Sequence, residues 1–142
     1  KKNFLEFVKR KKNDGVLVTV PTKNPGFSYV ELQDDMSTVS RTKEKEVVSS
    51  FGNTGCYYFK KTSEFEHYTN LMINKNIRVK NEFYVSQVYN EYILDNKKIL
   101  HYPIVEIFSI NTPEELSTNK EIITEFLINK KNDEEILKIK FF

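Results

Sequence analysis

The spacing of apolar residues changes along the chain, and each change marks an element. Over residues 3–13, Phe4, Leu5, Phe7 and Val8 precede Lys9 to Lys12. That pattern predicts an amphipathic helix with cations at its C-terminal turn, where the helix dipole favours them. Asn13-Asp14-Gly15 has turn chemistry, and Gly15 to Val20 follows as a near-continuous apolar run closed by Pro21. A strand buried on both faces reads this way. Helix, short turn and buried strand in succession form an α/β rhythm and imply a parallel sheet. Asn24-Pro25-Gly26 reads as a turn, Phe27 to Leu32 as a second strand and Gln33 to Met36 as another turn. Thr38 to Lys43 reads as the return strand of a hairpin, with Val39 facing inward.

The hairpin feeds Glu44 to Phe59, EKEVVSSFGNTGCYYF: an acid–base pair, a loop, then a short aromatic strand from Gly55 to Phe59. Gly52 and Gly55 lie in this stretch. A glycine inside a strand pattern marks a bulge or a close approach of a ligand to the backbone. Beyond it, Thr62 or Ser63 is expected to cap a helix that places Phe65, Tyr68, Leu71 and Met72 on one face. Residues 74–81 are polar and read as a loop, and Asn81 is expected to cap a helix from Glu82 to about Leu94. Tyr84, Val88 and Tyr92 fall on one face of that helix, and Asp95-Asn96 ends it. Lys98 to Tyr102 and Val105 to Ile110 read as strands with a bend at Pro103. Thr112-Pro113-Glu114-Glu115-Leu116 opens a further helix. Thr112 is its cap, Pro113 occupies the first position where a missing N–H costs nothing, and Glu115 is placed to reach back. A pause is expected near Asn119, and residues 129–142 read as a charged, then apolar tail, leaving 1–128 as the domain proper.

Composition narrows the classes. A 39% hydrophobic share over 142 residues supports a buried core in one domain or part of one. No apolar run is long enough to span a membrane, and no apolar segment follows Lys1-Lys2 as a signal peptide requires. The net charge is +2 with signs interleaved, which argues against a nucleic-acid face. Cys56, the single cysteine, excludes an intramolecular disulfide and a cysteine-rich zinc site. It is expected to be a small core residue, and one thiol fits the cytoplasm. His67 and His101 have no carboxylates patterned with them, so neither is assigned a metal or catalytic role. By its chemistry alone, Glu44-Lys45 is either a solvated pair at a strand end or a ligand-binding pair.

The order of features carries more than any one of them: apolar strand, hairpin, E-K, loop, G-x-Y-x-F, helix, E-F-Y-V-x-x-V-Y-N, two strands, T-P-E-E-L. Over roughly residues 3–126 it resembles the C-terminal half of the sugar nucleotidyltransferases, the sugar-phosphate pyrophosphorylase-like family. The resemblance implies an α/β fold, the C-terminal portion of a Rossmann-like, glycosyltransferase-A-like domain with a mixed sheet flanked by helices. It also implies transfer of a nucleoside monophosphate from a nucleoside triphosphate to a sugar 1-phosphate, or to a similar phosphate such as phosphocholine. Pyrophosphate is released, magnesium (Mg2+) is the cofactor, and the sugar nucleotide would serve polysaccharide biosynthesis. Such chemistry rests on positioning and charge neutralisation. Carried over by position, Glu44 matches the acid that binds sugar hydroxyls and Lys45 the lysine that faces the phosphate of the second substrate. Gly55 matches the glycine whose backbone lies against the sugar, and Tyr57 falls in the same motif as a further substrate-binding residue. T-P-E-E-L matches a helix start, T-P-E-D-L in the family.

This sequence departs from the family pattern in two places. Gln87 stands where many members have a second metal-binding Asp, and a neutral amide is a poorer magnesium ligand than a carboxylate. The glycine-rich nucleotide loop and first metal-binding Asp motif are absent from the sequence, so the nucleotide-binding half is expected ahead of Lys1 and this chain alone is expected to be inactive. With that half missing, Val16 to Val20 is expected to lose a strand neighbour, and an open edge invites self-association. A non-catalytic module that holds a sugar phosphate or sugar nucleotide is the competing reading. A nucleic-acid binder would need a basic, aromatic-lined face, which the interleaved acids disfavour.

Overall fold

The computed structural model describes residues 3–108, 110 and 112–129. The chain divides into two compact units, 1–106 and 107–142. In the first, helix α1 (Phe4–Arg10) leads into strand β1 (Gly15–Pro21), followed by β2 (Ser28–Leu32), β3 (Val39–Glu44) and β4 (Phe51–Phe59). Helices α2 (Thr62–Asn74) and α3 (Val85–Leu94) come next, then strand β5 (Ile99–Pro103). The five strands form one sheet in the order β3-β2-β4-β1-β5. The parallel sheet expected from the α/β rhythm is realised only between β1 and β5, because β1–β4, β2–β3 and β2–β4 are antiparallel.

Val16 to Val20 is buried along its whole length, as its unbroken apolar run requires. It keeps a neighbour on each side, β4 and β5, so the expected open edge at β1 is not there. The outer strands are β3 and β5. On β3 the Asn90 carboxamide, from α3, accepts from the Thr42 N–H at 2.8 Å and donates to the Thr42 carbonyl at 3.1 Å. It occupies the hydrogen-bonding place of a missing strand residue. On β5 the His101 N–H donates to the Ser37 carbonyl at 3.1 Å, and Pro103 has no N–H to offer.

Neighbouring strand residues face opposite sides of the sheet. Leu17, Val30, Val39 and Ile99 point to the face covered by α2 and α3, where Tyr68, Met72, Val88, Tyr89 and Tyr92 complete the larger core. Val16 and Leu100 point the other way and pack with Val8 of α1. Tyr89 ties the sheet to α3. Its hydroxyl donates to the Tyr58 carbonyl at 3.0 Å, and its ring stacks on Phe59 with centroids 4.6 Å apart. Gly15 makes this fit, since a Cβ there would lie 2.8 Å from the Tyr89 ring.

Several local expectations are corrected. The N-cap of α2 is Lys61, with no side-chain cap bond; Thr62 is already helical. Lys61 forms an ion pair with Glu64 at 2.9 Å in the first turn. Helix α3 starts at Val85 rather than Glu82. Lys80 and Asn81 take left-handed φ of 49° and 66°, and Val79 and Glu82 exchange backbone hydrogen bonds. The tight turn leaves residues 82–84 extended, so Asn81 caps nothing. After Pro103, Ile104 donates to the Thr19 carbonyl, and none of the described residues from 105 to 110 is in a strand. Val105 is 93% exposed. In the second unit, α4 (Pro113–Asn129) runs through Asn119 without a pause. The Thr112 hydroxyl oxygen accepts from the Glu115 N–H at 3.1 Å, as its cap role requires. The tail beyond Asn129 lies outside the described residues. Among them, no helix is long and apolar enough to cross a membrane.

Candidate functional site

On the face under α2 and α3, the sheet carries a row of polar side chains. Ser28 of β2 pairs with Glu44 of β3, Tyr29 pairs with Gly52, and Asn53 of β4 pairs with Thr19 of β1. Continuing that register sets Asn53 beside Ser28. The row thus runs Glu44, Ser28, Asn53, Thr19, and His101 of β5 extends it by meeting the Thr19 hydroxyl at 3.2 Å. Ser28, Asn53, Thr19 and His101 are buried. Burial of polar groups is costly unless they are hydrogen-bonded. Asn53 is only half satisfied: its Oδ1 accepts from the Gly55 N–H at 3.0 Å, while its Nδ2 has no partner.

At the β3 end of the row, the start of α3 meets Glu44 and Lys45. The Ser86 hydroxyl donates to Glu44 Oε2 at 2.6 Å. Burial raises the Glu44 carboxyl above its ordinary range, against the opposing pull of the Ser86 hydrogen bond and the Lys45 charge. Lys45 has a left-handed φ of 55°, unusual for a residue with a Cβ. Its N–H continues the ladder by donating to the Phe27 carbonyl at 3.1 Å, and its ammonium donates to the Tyr84 hydroxyl at 2.6 Å. Tyr84 in turn hydrogen-bonds Glu82. The extended stretch before α3 thus clamps the lysine, and these partners hold its pKa above the ordinary lysine value.

Tyr57 lies on the same face, its ring 6.0 Å from that of Tyr89. Its phenol is pushed up to about 12, first by burial and then by the Glu44 charge, with the Ser28 and Asn53 side chains opposing. Gly55 sits in a bulge: between the pairs Leu17↔Tyr57 and Thr19↔Asn53, three residues of β4 oppose Val18 alone. Its φ is 83°, and a Cβ built there would meet nothing within 4 Å. The bulge explains the glycine, and the space beside it is open. Gly52 is different: a Cβ there would lie 2.3 Å from Thr22 Cγ2, so its close approach is to the protein itself. The same bulge leaves Cys56 exposed, contrary to the expected core position.

Of the four residues proposed from sequence, Glu44 and Tyr57 are brought within electrostatic reach of each other, and Lys45 adjoins Glu44. Gly55 lies in the β4 bulge opposite Val18. Sequence reasoning missed Ser28, Asn53, Tyr84 and Ser86. Asn53 stands two residues before Gly55, a spacing that lets its side chain close a turn onto that N–H; that was the available signal. The others depend on cross-strand register and helix placement.

Gln87 is buried on α3, and its Oε1 accepts from Asn90 at 3.1 Å. Among the described residues no three His, Cys, Asp or Glu side chains come together as a metal site. A neutral carboxamide is a poorer ligand for Mg2+ than a carboxylate, so the described residues do not by themselves assemble a magnesium centre. His101 is held between Thr19 and the Met36 carbonyl, which gives it a structural place.

This α/β mixed sheet with its covering helices matches the fold of about half of several solved nucleotidyltransferase structures. Solved structures with the same fold include a nucleoside-diphosphate-sugar pyrophosphorylase from Vibrio cholerae RC9, with a TM-score of 0.69, 22% identity, and coverage of 75% of this chain and 46% of its own. Another, described as a glucose-1-phosphate thymidylyltransferase from Bacillus anthracis in complex with sucrose, gives a TM-score of 0.61 at 15% identity over 84% and 47%. A CMP:2-keto-3-deoxy-manno-octonic acid synthetase complexed with CTP gives 0.55 at 8% identity over 86% and 56%. The chain spans about half the length of these structures, and at such identities the likeness establishes the fold. No protein-family model and no curated protein sequence matches it.

Proposed function

We propose that this chain is the sugar-phosphate-binding half of a nucleotidyltransferase. In the reaction, an oxygen of the sugar phosphate attacks the α-phosphorus of a nucleoside triphosphate. A new P–O–P linkage forms, the bond to pyrophosphate breaks, and pyrophosphate leaves. Both reactants are anions, so the protein must offset their repulsion and align them. Lys45 supplies a fixed positive charge for the acceptor phosphate. Glu44 has one oxygen engaged by Ser86, which leaves the other to accept from a sugar hydroxyl. The open bulge at Gly55 gives a sugar ring access to the backbone, and Tyr57 closes the inner side.

The observation that carries this reading is the convergence of Glu44, Lys45, Tyr84 and Ser86 at the start of α3. Gln87 and the absence of a carboxylate cluster among the described residues favour a second reading, a module that binds a sugar phosphate without chemistry. The test uses the complete protein that carries this chain. Pyrophosphate release from a triphosphate, a sugar 1-phosphate and Mg2+ separates the two readings. In either, Lys45→Ala weakens sugar-phosphate binding more than triphosphate binding, measured by calorimetry. Equal losses for both ligands would remove Lys45 from its role.

A further inference from the structure

On the opposite side of the sheet, where α1 packs, lies an open depression of about 360 Å³. It is lined by Lys9, Arg10, Lys11, Lys12 and Lys60 together with Asn13 and Tyr58. The KRKK run looks in sequence like the wet end of a helix, and the helix dipole accounts for Lys9 and Arg10 in the last turn of α1. It does not account for Lys11 and Lys12, which lie beyond that helix, or for Lys60, which arrives just after β4. The Lys60 N–H donates to the Asp14 carbonyl at 3.0 Å, which fixes the two segments side by side. Asn13 is buried, and its Nδ2 donates to the Val8 and Lys11 carbonyls at 3.0 and 2.7 Å. The backbone that presents the cations is thereby set in place.

Elsewhere in this unit Arg41, Lys43, Lys61, Lys75 and Lys97 form ion pairs, while Lys23, Lys45, Arg78, Lys80 and Lys98 stand singly without one among the described residues; what sets the depression apart is five cations gathered together. Around the depression none of the five cations has an ion pair or a side-chain hydrogen bond among the described residues, and all five are exposed. Glu6 and Asp14 flank the KRKK run and Glu64 follows Lys60; the Asp14 carboxylate accepts from the Lys98 N–H at 2.9 Å, and Glu64 is paired with Lys61 and Lys97. Five like charges set against fewer acids repel one another, and a multivalent anion relieves that repulsion.

We propose that this depression binds a small anion carrying two or more phosphate groups. One phosphate monoester carries a charge of about −1.5 to −2, too little to balance five cations. The volume falls in the range of small-molecule sites, roughly 300–1,000 Å³, and is too small for a duplex. Lysine and arginine together give point charges and a planar fork, both suited to phosphate oxygens. The phosphates come either from a soluble di- or triphosphate or from a phosphorylated lipid headgroup.

The test is calorimetric titration of the complete protein with inorganic tripolyphosphate, alongside sedimentation with vesicles containing a phosphoinositide. The variant is Arg10→Gln/Lys60→Gln, both exposed positions, with Lys23→Gln as a control at a remote cation. Saturable binding that weakens about tenfold or more in the double variant, and that declines with salt, supports the site. Tripolyphosphate binding alone identifies a soluble ligand; vesicle binding lost in the same variant identifies the headgroup. No saturable binding of either beyond that at the nucleotide site, or such additional binding that the double variant leaves unchanged, overturns the proposal. Lys45→Ala sits on the other side of the sheet and should leave this binding intact, so the outcome stands apart from that of the sugar-phosphate reading.

Discussion

The two faces of the sheet are built on different terms. Under α2 and α3 the core is aromatic, with Phe59, Phe65, Tyr68, Tyr89 and Tyr92 in mutual ring contact. It also accepts a row of buried polar groups, one of them the unspent Asn53 donor. Under α1 the core is a small patch of Val8, Val16 and Leu100 edged by Phe4, Phe7 and Tyr102, with Asn13 buried beside it and cations at the rim. Large rings with hydroxyl tips supply packing area and hydrogen-bonding sites together. The first face also holds polar groups inside the protein, where partners such as Ser86, the Gly55 N–H and the Met36 carbonyl fix their positions. The second face keeps its charges in water.

If so, truncation should cost far more on the first face. Tyr89→Ala removes a fully buried ring and the hydrogen bond its hydroxyl donates to the Tyr58 carbonyl of β4, with an expected loss of about 3–5 kcal/mol. Val8→Ala under α1 is expected to cost about 1–2 kcal/mol, since fewer buried atoms are lost. Urea denaturation of both variants measures the difference. Equal losses would mean that the small patch is as strongly coupled to the fold as the aromatic core.

The next effect concerns the β3 edge, which borders the Glu44 end of the row. Asn90→Ala strips the Thr42 backbone of both hydrogen bonds that the Asn90 carboxamide makes to it. The expected loss is about 1–3 kcal/mol, with faster amide exchange at Thr42. Unchanged exchange there would show that water replaces the carboxamide freely. Smaller again is Gly55→Ala. Its positive φ costs a residue with a Cβ about 1–2 kcal/mol, although the space beside it is open. Gly55→Asn should lose less, because Asn tolerates the left-handed region. If a ligand needs that space, both variants weaken sugar-phosphate binding beyond their effect on stability.

The elements that were legible in sequence are those whose own residues determine them. The buried run Val16 to Val20, the hairpin around Asp35 and the faces of α2 and α3 follow from period and turn chemistry. What was not legible depends on partners distant in sequence. The flanking of β1 by β5 comes from a strand some eighty residues on, so no local pattern reveals that β1 is interior. The start of α3 at Val85 is set by the left-handed pair Lys80-Asn81, where a plain Asn cap fits the sequence equally well. The candidate site was half legible. Glu44, Lys45 and Gly55 stand out as an acid–base pair and a strand glycine. Ser28 and Ser86 are unremarkable in sequence, and only register and packing bring them to Glu44.

The smallest effect sharpens the polar row itself, because its two ends should titrate with opposite sign. His101 is a base whose pKa burial lowers below the ordinary 6.5, against the Met36 carbonyl and the Asp35 charge. The unfolded chain therefore takes up the proton first as pH falls. The stability His101 contributes is present above pH 6.5 and is lost as pH falls through its folded value. Glu44 is an acid whose pKa burial raises above 4.5, so the folded chain holds the proton longer. Its contribution is present below pH 4.5 and is lost as pH rises through the folded value. Denaturation midpoints followed across both windows should show one slope removed by His101→Gln and the opposite slope removed by Glu44→Gln. Ser86→Ala should raise the Glu44 value further, since it deletes the hydrogen bond that favours the carboxylate. A Glu44 titration unmoved by Ser86→Ala would detach α3 from the acid, and with it the clamp on which the convergence with Lys45 depends.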